Sequence, residues 1–167
     1  VLFRSKINNY INGDKNTNTA PNENYARELQ ELFTVGKDAT GNPPYTEDDV
    51  KAAARVLTGW KNDLVGGLTS ANGFNSYFEP TKHDVTDKLF SAFYGNTTIT
   101  GQSGANGAFE LDDLINMIFA KDEVALNVCR RLYRFFVYYD IDATTEANVI
   151  VPLAQIFRSN NYEIIPT

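Results

Sequence analysis

A chain of 167 residues and 18.7 kDa is long enough for one domain with a proper core, and 43% hydrophobic with 22% charged residues is a globular composition, not a disordered one. A formal charge of −6 and a pI of about 4.8, without a Lys/Arg cluster, leave no electrostatic footprint for phosphate backbones, so no nucleic-acid partner is expected. No apolar run reaches the length of a membrane span, and the one cysteine, Cys129, allows neither an internal disulfide nor a Cys-rich zinc site.

The abrupt Val1-Leu2-Phe3 start and the apolar stop Tyr162-Glu163-Ile164-Ile165-Pro166-Thr167 read as an excised piece of a longer protein. Leu2, Phe3, Ile7, Tyr10 and Ile11 are spaced for a first amphipathic helix over 2–12. Gly13 and the polar stretch Asp14–Thr19 then read as an exposed loop. Asn22 is a good N-cap for the next helix, whose apolar arc is Tyr25, Ala26, Leu29, Leu32 and Phe33. Glu23, Arg27 and Glu31 form an i, i+4, i+8 ladder on its solvent side. Glu28 lies on the border of the buried face, where a carboxylate needs a partner. Gly36 closes the helix as a left-handed C′ residue.

After the turn-rich segment 37–45, Thr46-Glu47-Asp48-Asp49 opens another helix, Thr46 capping it and Asp49 returning the bond. Val50, Ala53, Ala54 and Leu57 are its stripe, and the small alanines admit the preceding helix as a hairpin partner. Residues 61–107 are punctuated by glycines and carry runs such as Asn75–Phe78 and Thr97–Thr100, which fit short strands or an ordered loop, a small hairpin excursion being favoured. Helical spacing returns with Leu111, Leu114, Ile115, Ile118 and Phe119, and again from about Asp122 to Tyr138 through Val124, Ala125, Val128, Cys129, Leu132, Tyr133 and Phe136. Cys129 falls in that pattern as a buried inert thiol. Tyr133, Phe135, Phe136, Tyr138 and Tyr139 fit an aromatic binding strip, but helical spacing favours core packing for the first three. Asp112-Asp113 reads as a helix-start pair and Arg130-Arg131 as a solvated face. A last helix spans about Thr145 to Arg158, where Pro152 predicts a kink or a later start. The sum is one mainly α domain over 1–167, a bundle of five or six helices with a loop-rich insertion at 61–107.

Several words recur in a fixed order. They are Pro21-Asn22-Glu23-Asn24-Tyr25-Ala26-Arg27-Glu28-Leu29 with Glu31-Leu32-Phe33-Thr34, then Tyr45–Val50, Ala54-Arg55, Leu57-Thr58-Gly59-Trp60 and His83-Asp84. Leu132–Val137 and Phe157-Arg158 to Tyr162-Glu163-Ile164 follow. Across nearly the whole chain this resembles the bacterial "domain of unknown function 1800" family. The resemblance implies a largely helical fold and an exported protein acting in the periplasm or at the cell envelope, with no established reaction. It also implies that the remaining parts of a longer chain pack on this one. The family pattern follows His-Asp with a Gly and a Lys; here Val85-Thr86-Asp87-Lys88 keeps the Lys and lacks the Gly.

One polar groove is the site candidate, built from Glu23, Arg27, Glu28, Asp48, Arg55, His83 and Asp84. A histidine among carboxylates can run acid/base chemistry or hold a divalent metal, for which His83, Asp84 and Glu28 are the donors at hand. That gives the rival reading of a hydrolase centred on His83, Asp84, Glu23 and Glu28. The spacing matches no His-x-x-x-His pair or Gly-flanked Ser elbow. The simpler reading is a structural network, in which Arg27 and Arg55 pair with the acids and His83 pins the loop. Binding or scaffolding, with a protein or polysaccharide ligand, is therefore the leading expectation.

Overall fold

The computed structural model describes residues 15–38, 41–63 and 75–164; the helix expected at 2–12 lies outside them. The fold is mainly α with a strand-containing insertion, as the periodicity predicts. The chain divides into two compact units, Val1–Leu29 with Tyr45–Met117 and Gln30–Pro44 with Ile118–Thr167.

In the first unit, helix α1 spans Glu23–Glu28 and starts where the Asn22 side chain accepts the Asn24 N–H at 2.9 Å. It packs on α2, Glu47–Val56. Both halves of the α2 capping box form, since Thr46 Oγ1 accepts the Asp49 N–H at 3.2 Å and the Thr46 N–H reaches Asp49 Oδ2 at 2.7 Å. The stripe Val50, Ala53, Ala54 and Leu57 is buried, and Asp49 with it. The buried Asp49 carboxylate is satisfied by also accepting the Ser91 N–H and hydroxyl, each at 2.7 Å. The polar stretch before α1 departs from expectation at Asn16, which is buried. Its side chain donates to Ala54 O at 2.9 Å and accepts the Asn22 N–H at 2.8 Å, so it joins α1 to α2 and does not face water.

The insertion forms short antiparallel ladders. Strand β1, Trp60–Asp63, pairs with β2, Asn75–Phe78, in the register Trp60↔Phe78. Strand β3, Lys88–Leu89, pairs with β4, Thr98–Ile99. Gly59 enters β1 at φ +88°, and a Cβ there would stand 3.0 Å from Glu79 O, so the position suits glycine alone. Helix α3, Glu110–Phe119, follows, with Leu114 and Ile118 fully buried.

Beyond α1 the helix continues as a π-helical stretch, Leu29–Phe33. Its wider i→i+5 turn slows the rotation per residue and breaks the 3.6-residue phase. Gln30 is consequently buried, while Leu32 and Phe33, expected in the core, are 45% and 43% exposed. Gly36 ends this stretch at φ +78°, donating to Gln30 O at 2.8 Å. In the second unit helix α4, Asp122–Phe136, packs on α5, Val151–Ser159. Ala125, Cys129, Ile150, Ala154 and Phe157 make its core. The helix does not start later: a short turn, Ala143–Thr145, and a π-helical stretch, Glu146–Ile150, run into α5 without a break, Ile150 itself being right-handed helical, so Pro152 stands inside the helical run with the wider turn just before it. Arg130 is not a freely solvated residue, because it forks onto Glu146 with Nε 3.0 Å from each carboxylate oxygen. Phe135 and Phe136, expected in the core, are exposed at the end of α4.

Candidate functional site

The insertion folds its only histidine inward. A 3₁₀ turn, Pro80–Lys82, ends at His83, which is buried. Nδ1 lies 2.9 Å from Thr58 O, just past the end of α2. A carbonyl only accepts, so Nδ1 carries the hydrogen. Nε2 faces Glu110 Oε1 at 3.0 Å, and the other oxygen, Oε2, meets Lys88 Nζ at 2.6 Å. The side chains of Glu110 and Lys88 are fully buried. Lys88 also donates to Asp84 O, and the Gln102 N–H reaches Glu110 Oε1 at 2.6 Å.

One proton must therefore lie between Nε2 and Oε1. Glu110 opens α3, where the positive end of the helix favours a carboxylate. The packing is close: the Phe78 ring meets His83 edge-on at 5.1 Å, and a Cβ on Gly107 would fall 2.6 Å from His83 Cδ2.

Asp84 extends the network to the surface. Its N–H donates to Thr58 Oγ1 at 2.8 Å, and its Oδ2 accepts Arg55 Nε at 2.8 Å. Arg55 also holds Asp87 O at 2.9 Å and the Thr86 hydroxyl. Burial raises the Asp84 carboxyl, but hydrogen bonds from Arg55 and Thr86 outweigh it and hold the group well below the usual carboxylate range.

Of the seven residues named from sequence, Arg55, His83 and Asp84 come together here. Glu23 and Arg27 form a separate surface cluster, with Arg27 forked onto Glu47 at 2.7 Å per bond and 3.4 Å from Glu23. Glu31 instead pairs with Lys37 at 2.5 Å. Asp48 is exposed and pairs with Lys51 at 3.2 Å. Glu28 is half-buried, and its carboxylate makes no hydrogen bond or ion pair among the described residues.

Sequence reasoning missed Thr58, Lys88, Gln102 and Glu110. Lys88 carried a signal, as the basic residue retained after His83-Asp84. Glu110 was hidden as one more acid before an apolar stripe. Among the described residues no group of three or more His, Cys, Asp or Glu is arranged to hold a metal ion. Both ring nitrogens of His83 are already engaged, so metal ligation or proton abstraction by His83 would first break an internal bond.

The sequence family described as "Protein of unknown function (DUF1800)" matches residues 7–167. The chain belongs to the DUF1800 family. No curated protein and no solved structure matches it. The recurring words of this DUF1800 chain can now be placed physically. Thr58, His83-Asp84 and Lys88 lie in one buried network, whereas Arg27 belongs to an exposed ion pair. No helix among the described residues is long and apolar enough to cross a membrane.

Proposed function

We propose that this DUF1800 domain binds or scaffolds at the cell envelope of the bacterium that exports it, and that His83 serves the fold and not a reaction. The supporting observation is the closed His83–Glu110–Lys88 network. It is buried, both ring nitrogens and both carboxylate oxygens are bonded, and it ties the end of α2, the His83 corner, β3 and the start of α3 together. The export and envelope part rests on the family resemblance. The ligand class is a protein or a polysaccharide.

His83→Ala tests the first part. Removing the ring takes one donor each from Thr58 O and Glu110 in the buried interior, an expected loss of about 3 kcal/mol. The melting temperature should fall by roughly 6–12 °C, with the content of bound metal, read by elemental analysis, unchanged. Intact stability with lost metal, or with lost affinity in a glycan and peptide screen, would overturn the structural role and favour a site. Fractionation of cells producing the full-length protein tests the location.

A further inference from the structure

The last turn of α4 and the loop after it read Arg134-Phe135-Phe136-Val137-Tyr138-Tyr139-Asp140. Phe135, Phe136, Tyr138 and Tyr139 are 81%, 75%, 55% and 75% exposed. At about 200 Å² per aromatic side chain this is roughly 600 Å² of aromatic surface, at the top of the range for the largest apolar patch on a monomer. It is also the larger part of the about 800 Å² that a standard interface takes from each partner. The rings are already paired among themselves, Phe135 on Phe136 at 4.8 Å and Tyr138 on Tyr139 at 4.6 Å. Phe135 continues into an apolar groove of about 330 Å³ that includes Leu32, Phe33 and Leu132.

The order of the segment indicates what covers it. A cation stands at one end and a carboxylate at the other, with two aromatics on each side of Val137. Both Arg134 and Asp140 are exposed, and neither makes an ion pair among the described residues. A two-fold axis reverses a segment against its own copy, so that residue i meets j and j meets i. Under that operation aromatic meets aromatic, and Arg134 meets the partner's Asp140 twice over. A purely apolar partner surface would leave both charges without a counter-ion.

We infer that this face is a two-fold, self-complementary interface between two copies of the chain, centred near Val137. It extends the scaffolding proposal and does not depend on the His83 network. A monomer showing the expected His83 dependence would remove the dimer and leave that proposal standing.

Sedimentation equilibrium over a concentration series tests it, together with melting at low concentration as a folding control. The wild type should fit a monomer–dimer equilibrium. Phe136→Asp should give a monomer with unchanged melting, because the side chain is exposed. Arg134→Asp and Asp140→Arg should each raise the dimer Kd by about tenfold or more, since like charges then face each other. The double variant, Arg134→Asp with Asp140→Arg, should restore dimerisation. A wild type that stays monomeric at every soluble concentration overturns the inference, as it would if another part of a longer chain, or an unrelated partner, covers the patch. So does association without a dimer end point, a dimer indifferent to Phe136→Asp, or a double variant no better than the single ones.

Discussion

Asp84 and Glu110 carry opposite lessons about a carboxylate in a network. Asp84 remains charged in the folded chain at a pH where the same group in the unfolded chain, near its ordinary 3.8, takes a proton. Its contribution is thus fully present above about pH 4 and is lost as pH falls through the carboxylate range toward the depressed folded value. Asp84→Asn should cost about 2 kcal/mol at neutral pH and make stability less steep in acid, read from urea midpoints between about pH 6 and pH 3. Glu110→Ala should cost more, about 3–5 kcal/mol, because Lys88 is left as a buried cation without its counter-charge. Pairing Lys88→Met with Glu110→Leu should recover part of that loss, an interaction energy visible in the double-mutant cycle. At this scale the sequence was only half readable. His83, Asp84 and Arg55 were legible as uncommon polar residues near helix ends. Their true partners were not, since Glu110 lies 27 positions from His83 and no spacing rule joins a loop histidine to a distant helix start.

At the scale of elements, caps and apolar period carried most of the information. Asn22, the Thr46–Asp49 box and Gly36 mark ends that the structure keeps. The departures at Gln30, Leu32 and Phe33 share one cause. A constant 100° per residue was assumed, and the π-helical turn at Leu29–Phe33 breaks it, turning Gln30 inward and Leu32 and Phe33 outward. Nothing in that stretch announces a π turn beforehand. Asn16 was misread for a different reason, because a polar loop residue can be buried wherever backbone donors and acceptors await it. One substitution examines these elements. Gly36→Ala should cost about 1–3 kcal/mol, because φ is +78° and the new Cβ would stand 2.5 Å from Asn127 Cγ.

For the whole molecule, charge gives the broadest expectation. With a net −6 and its described arginines largely turned to carboxylates or carbonyls, the protein should pass through heparin and DNA columns at low salt; retention that weakens with added salt would contradict this. Composition, class and the strand-bearing insertion were all legible from residues alone. The aromatic strip was legible only as the rival to core packing, which helical spacing favours for Phe135 and Phe136; their exposure at the end of α4 decides against the core.

The chain has one tryptophan and one cysteine, and each falls in a different unit. Trp60 lies 5.5 Å from the Phe78 ring, whose edge meets His83. Cys129 is buried in the second core, and burial pushes its thiol up, so thiolate is scarce. Nature has left two intrinsic reporters. Tryptophan emission should register any rearrangement beside His83 in the first unit. Thiol modification, expected to be at least about a hundredfold slower than in the denatured chain, should time the opening of the second.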